Sequence, residues 1–269
     1  MSYATGVDGA EIWYDVIEGG AASQTPLVLV QGLALDHHGW DSAVADFRGR
    51  TTVVFDHRGT GASEDRFAHD WSTRDFARDV ISILDGAGID RAHIYGHSMG
   101  GRIAQWLGAE HSERVVSLVL GATTVGDSTG VSRPEHATKA LASGDPAELA
   151  SLFYPAAWLR DHPEEAGSVM PAAASPAAMQ AHLGAVARHD GPESRRIGVP
   201  ALVVHGTDDE LTVPANATLL AQHIPDAELV ELPGARHAYW VGRPRAHEVV
   251  NRFLAANDRS PHRGGARAR

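Results

Sequence analysis

The chain has 269 residues, 43% hydrophobic and 21% charged, enough for one large α/β domain with an insertion and a sizeable core. Its net charge of -11 argues against nucleic acid or an anionic membrane surface as a partner. Zero cysteines exclude disulfides, a thiol nucleophile and thiolate metal ligands. No apolar run approaches the roughly 20 residues of a membrane span, and Met1 to Gly9 lack the basic and apolar stretches of a signal peptide. The chain therefore reads as cytoplasmic, with no membrane partner.

Glu11 to Glu18 alternates Ile12, Tyr14 and Val16 with polar neighbours, the period of a half-exposed strand, and Gly19-Gly20 turns it. Pro26 to Val30 and Thr51 to Phe55 are short apolar runs rich in β-branched residues, which suits strands covered on both faces of a parallel sheet. From Ser72, the spacing of Phe76, Val80, Ile83 and Leu84 predicts a helix. Ser72 and Asp75 form its capping pair, and Gly86 and Gly88 stop it. Strands at 92–95, 115–122, 200–205 and 227–232 then alternate with helices at 99–110, 215–223 and 245–256. That alternation predicts a doubly wound, mostly parallel sheet.

Residues 124–195 break the rhythm. The stretch is Ala- and Pro-rich, carries no strand pattern, and shows short helical pieces around 134–143, 146–153 and 176–188. An insertion leaving the C-terminal edge of the sheet is expected to lie over the active-site end as a cap. The expected division is 1–123 and 196–256 for the core, 124–195 for the cap, and 257–269 for a small, basic, disordered tail.

The candidate nucleophile is Ser98, in Gly96-His97-Ser98-Met99-Gly100-Gly101. It stands between the strand Ala92 to Tyr95 and a helix marked by Ile103, Ala104, Trp106 and Leu107. A sharp strand-to-helix turn forces its central residue towards positive φ, a costly conformation for a residue with a Cβ. Small neighbours two positions either side, here Gly96 and Gly100, make the turn feasible. Oγ then stands clear of the backbone, and the Met99 N–H at the helix start points at a developing oxyanion. This is the G-x-S-x-G nucleophile elbow.

A serine needs a base to take its proton, and the base needs an orienter; with an elbow of this kind the chain order is Ser, acid, His. Asp208 and Asp209 follow the strand ending at His205, and His237 follows the strand ending at Leu232. Both loops leave the sheet edge that carries Ser98. Among sixteen histidines, His237 stands out by its place on a Gly-containing strand-end loop. His205 lies within a strand and reads as structural. His37-His38 lacks a third ligand at metal spacing, so no metal is expected.

Together these motifs resemble those of α/β-hydrolase-fold serine hydrolases of the capped esterase, lactonase and cofactor-free haloperoxidase type, over about residues 9–123 and 197–256. Asp56-His57-Arg58-Gly59-Thr60-Gly61-Ala62-Ser63 is similar to the family's D-x-R-G-x-G-x-S turn and is given a structural role; it lacks the ending of a phosphate loop. The resemblance implies an eight-stranded sheet with a small helical cap inserted after the sixth strand. Through the match of Gly206-Thr207-Asp208-Asp209 to G-x-x-D, it implies Asp209 as the acid. It implies His237 as the base, with Arg236 in place of the usual preceding glycine, and the backbone N–H of Leu33 beside that of Met99 as oxyanion donors. Gln31-Gly32-Leu33 stands where such families usually carry His-Gly, and Trp40 packs that loop.

The function implied is cofactor-free cleavage of a carboxylic ester or lactone of a small, fairly apolar substrate through an acyl-enzyme on Ser98. C–C bond hydrolysis, perhydrolysis with halide oxidation and a biosynthetic cyclisation use the same groups and stay open. A non-catalytic binding protein on the same fold and a homo-oligomer stay open too. Trp40, Phe153, Tyr154 and Trp158 are the candidate pocket residues. Leu159, Met170 and Met179 add bulky apolar groups to the cap, and Arg160, Asp161, Glu164 and Glu165 read as a solvated face.

Overall fold

The computed structural model describes residues 1–20, 24–67, 70–126, 128–164, 174–243 and 245–258. Eight strands form one sheet: β1 (Ser2–Thr5), β2 (Glu11–Ile17), β3 (Leu27–Val30), β4 (Thr52–Phe55), β5 (Ala92–His97), β6 (Val115–Gly121), β7 (Ala201–Gly206) and β8 (Ala227–Leu232). Their spatial order is β1-β2-β4-β3-β5-β6-β7-β8. β1 and β2 run antiparallel to their neighbours, and the six others are parallel. The sheet is the doubly wound α/β arrangement expected from the alternation of patterns. The strand β1 carries no periodic signal in its four residues and is defined only by pairing with β2.

Strands buried on both faces send successive side chains into different layers. Val28 and Val30 of β3 join Val53, Phe55, Ile94 and Leu118 in one core, whereas Leu27 and Leu29 join Val54, Tyr95 and Val119 in the other. The first core is covered by α2 (Thr73–Gly86) and α3 (Met99–Glu110), through Phe76, Val80, Ile103 and Leu107, and by α8 (Ala215–His223) through Leu220. The second is covered by α1 (Asp41–Val44) and α9 (Arg245–Asn257), through Ala43, Val250 and Leu254. The predicted capping box of α2 is present: Ser72 accepts from the Asp75 N–H and the Asp75 side chain accepts from the Ser72 N–H.

Between β6 and β7 lie α4 (Glu135–Ser143), α5 (Pro146–Phe153), α6 (Ala156–Asp161) and α7 (Pro176–Ala187). The sequence pattern does not mark the short α6, because six residues starting after Pro155 give too little periodicity. Ala137, Ala150, Leu152 and Phe153 of the insertion form a third apolar cluster with Leu211 and Ala238 of the strand-end loops. The insertion thus packs on the carboxyl ends of β7 and β8. Met170, Glu165 and residues 259–269 of the tail lie outside the described residues. Among the described residues no helix is long and apolar enough to cross a membrane.

Candidate active site

Ser98 sits between β5 and α3 at φ 55 and ψ -115, so the expected positive φ is present. The glycines flanking it are explained by close approach. A Cβ at Gly96 would lie 2.2 Å from the Gly100 carbonyl oxygen, and one at Gly100 would lie 2.0 Å from that of Val30. Real Cβ atoms do not approach so near, so the strand, the turn and the helix pack together only with glycine at both positions. The Ser98 N–H donates to the Gly121 carbonyl at 2.8 Å, and the Thr123 hydroxyl donates to the Ser98 carbonyl at 2.8 Å. The strained turn is held from β6.

Asp209 and His237 follow β7 and β8, whose carboxyl ends lie on the same sheet edge as that of β5. His237 Nδ1 is 2.8 Å from Asp209 Oδ2. A carboxylate only accepts, so Nδ1 carries a proton, and in the neutral ring the lone pair is on Nε2. The N–H groups of Leu211 and Thr212 donate to Asp209 Oδ1 at 2.8 and 2.9 Å. Burial opposes ionisation of this carboxyl, yet His237 and His205 outweigh it and hold it well below the usual carboxylate range. His205, read from sequence as merely structural, is therefore part of the acid's surroundings: its Nε2 lies 3.3 Å from Asp209 Oδ2 and 2.6 Å from the Thr212 carbonyl. Asp208 is exposed and receives the Thr207 hydroxyl at 2.8 Å.

A cavity of about 100 Å³ brings Ser98 and His237 together with Gly32, Leu33, Met99 and Phe153. A Cβ at Gly32 would lie 3.5 Å from Ser98 Cβ, so the segment after β3 adjoins the nucleophile. Gln31 holds that segment from within: its Oε1 accepts the Gly32 N–H at 2.7 Å, while its carbonyl accepts from His57 Nε2 at 3.0 Å. Gly39 lets the amide approach, since a Cβ there would lie 2.0 Å from Gln31 Nε2. Glutamine in place of the usual histidine thus still braces the loop. Beneath it, His97 Nε2 donates to the His237 carbonyl at 3.0 Å, and burial pushes the His97 imidazole down to about 3.

The pocket candidates separate. Phe153 lines the cavity and meets the His237 ring edge-on, with centroids 5.2 Å apart. Trp40 does not reach it. The short turn His37–Trp40 folds its indole inward, where it is fully buried against Tyr95 at 5.1 Å and Trp240 at 5.4 Å. Tyr154 lines a neighbouring cavity and pairs with Trp158 at 4.4 Å, and Trp158 stacks on His162, also at 4.4 Å. Leu159 joins the third apolar cluster, and Met179 is half-buried on α7. Sequence reasoning missed Leu141, Leu183, Val186 and Leu211, which complete the apolar wall, and Arg102 and Arg133, which add basic groups to it. Only Arg102 had a legible signal, its place one helical turn beyond Ser98. The turn Asp56–Ser63 is structural, with Arg58 Nη1 bonded to Asp8 and its Nε and Nη2 to Asp79, all at 2.7 Å.

The family profile for the alpha/beta hydrolase fold matches residues 25–161. The chain belongs to the α/β-hydrolase-fold family. It is 31% identical, over 94% of its own length and 97% of the relative's, to a protein of Azorhizobium caulinodans provisionally named carbamate hydrolase RutD. It superposes with a TM-score of 0.81 on the crystal structure of an enol-lactonase from Burkholderia xenovorans LB400, at 27% identity, covering 95% of this chain and 100% of the other. A structure of Est816, titled an N-acyl homoserine lactone degrading enzyme, matches with a TM-score of 0.78 at 27% identity, covering 94% and 99%. These relatives are hydrolases by name.

Proposed function

We propose that the protein is a serine hydrolase that cleaves a small carboxylic ester or lactone through an acyl-enzyme on Ser98. One observation carries the reading: a serine held at positive φ on a helix start shares a cavity with a histidine whose Nδ1 is 2.8 Å from a buried carboxylate. His237 Nε2 takes the proton as Ser98 Oγ attacks the carbonyl carbon, and Asp209 stabilises the imidazolium. The N–H groups of Leu33 and Met99 receive the oxyanion; a missing donor of this kind typically costs about 10²–10³ in rate. The imidazolium then gives its proton to the leaving alkoxide. Water, deprotonated by His237, cleaves the acyl-enzyme and restores Ser98.

The insertion acts as a cap over this site. Leu141, Phe153, Leu183 and Val186, all from the insertion, line the cavity and favour a short apolar acyl group. A fluorophosphonate probe tests the proposal directly. The wild type should label on Ser98 and hydrolyse short esters or lactones, and Ser98→Ala should do neither. Absence of labelling in a protein that is folded by circular dichroism would reject the reading.

A further inference from the structure

The segment that supplies the Leu33 N–H continues into Ala34, which is buried and held at φ 60. An alanine in the left-handed region needs its surroundings to hold it there. What meets it is not a neighbour in sequence but His182, on α7 of the insertion. The Ala34 N–H donates to His182 Nδ1 at 3.2 Å. The other ring nitrogen, Nε2, is 3.0 Å from the carbonyl oxygen of Arg58. A carbonyl only accepts, so Nε2 carries the proton and Nδ1 offers the lone pair that Ala34 requires. A single neutral tautomer satisfies both contacts.

The ring is placed for this task. His182 is fully buried, and Phe76 and His57 meet it edge-on at centroid distances of 5.0 and 5.9 Å. Burial pushes its imidazole down to about 4, which keeps Nδ1 unprotonated at neutral pH. The helix that carries it is seated closely on the Asp56–Ser63 turn. A Cβ at Gly59 would lie 2.3 Å from Ala178 Cβ, and Thr60 forms a bridge with Ala174. From α3, Arg102 Nη1 donates to the Val186 carbonyl at 2.7 Å. The insertion is thereby anchored on both sides of the oxyanion segment.

We infer that His182 is a positioning residue for the oxyanion hole: it ties the Leu33–Ala34 segment to α7, so that the Leu33 N–H is aimed only while the insertion is seated. This rests on the serine-hydrolase reading for its catalytic consequence, but the tether itself does not. A purely packing role would be met by any ring or chain of similar size, whereas a tether needs an acceptor at the place of Nδ1.

Three substitutions separate the two. In His182→Asn the amide oxygen stands near the place of Nδ1 and keeps an acceptor for Ala34, giving up the Arg58 bond. In His182→Gln the longer amide reaches the place of Nε2, keeps the Arg58 bond and gives up Ala34. His182→Phe keeps the ring and loses both. Hydrogen–deuterium exchange of residues 31–36 reads the tether without activity: protection should fall at least tenfold in the Gln and Phe variants and persist in Asn. With a short ester, kcat should fall by about 10–100-fold in Gln and Phe with KM within about threefold, and recover in Asn, because an oxyanion donor acts in the transition state. Unchanged exchange in the Gln variant overturns the inference, as does equal loss of kcat in Asn and Gln or losses that track thermal stability alone. A wild type that neither labels on Ser98 nor hydrolyses esters overturns the hydrolase reading, while the exchange experiment still decides the tether.

Discussion

Asp209 and His237 meet at 2.8 Å across two loops, and the carboxylate uses its second oxygen to hold its own loop through Leu211 and Thr212. The acid is therefore held by its own loop as well as by the histidine, whereas Asp208 one residue earlier faces solvent. The pair predicts a sharp contrast. Asp209→Asn should lower kcat by about 10⁴, since an amide favours the wrong imidazole tautomer. Asp208→Asn should stay within about threefold of wild type. Steady-state rates for the two variants check it, and a larger loss at Asp208 would move the acid by one residue.

Ser98→Ala should abolish turnover by several orders of magnitude and leave the melting temperature within a few degrees of wild type. Alanine carries the same Cβ into the same positive-φ turn, so only Oγ is lost. Residual hydrolysis within tenfold of wild type would reject Ser98 as nucleophile.

Gly100→Ala tests the geometry of the turn instead of its chemistry. The added Cβ would stand 2.0 Å from the Val30 carbonyl oxygen, a backbone atom that cannot step aside. The cost expected of such overpacking is about 1–3 kcal/mol, together with loss of fluorophosphonate labelling as the elbow is pushed off the oxyanion segment. Normal labelling in a variant of unchanged stability would contradict this packing.

Phe153→Ala should reorder kcat/KM among esters of different acyl length, because the ring both lines the cavity and rests against His237. Trp158→Ala should leave that order alone, since its indole stacks on Tyr154 and His162 outside the cavity. A screen of acyl chain lengths on both variants decides it; a reordering by Trp158 would place the substrate elsewhere.

Acid should destabilise the protein well before its depressed carboxyls titrate. Asp79, pushed up to about 6 by burial, takes up its proton in the same range and partly offsets the loss. Burial pushes the imidazoles of His57, His97 and His189 down to about 3 and those of His93 and His182 to about 4. In the unfolded chain these groups bind a proton near pH 6.5, so the unfolded state takes up protons first as pH falls. Stability is full above about pH 6.5 and declines towards the folded values, by up to about 1.4 kcal/mol per pH unit for each such histidine. The depressed carboxyls work in the same direction but later. Asp258, held at about 2 against its burial by Arg50 and His93, loses its contribution only below about pH 4. Melting temperatures measured from pH 7.5 to 4.5 should fall steadily from about 6.5; a flat profile down to pH 5 would show that these histidines are not held neutral.

Local sequence determined the elements whose cause is local. The alternation of apolar runs and helical spacing specified a parallel sheet, because strands buried on both faces must be apolar throughout. Gly96-His97-Ser98-Met99-Gly100 specified the turn at Ser98, because only that spacing of glycines lets strand, turn and helix approach so closely. Ser72 and Asp75 specified a helix start for the same kind of reason. What the chain order could not convey are contacts made across it. Trp40 and Phe153 are both large aromatics beside candidate loops, and only packing separates the buried one from the one that lines the cavity. His205 lies inside an apolar strand with no local mark of a catalytic role, yet the loop after β7 folds Asp209 back to within 3.3 Å of it. The pairing of His182 with Ala34, 148 positions apart, exists because the insertion returns over the carboxyl end of the sheet. Periodicity is a property of neighbours along the chain, whereas a hydrogen bond between distant loops depends on where the whole sheet delivers them.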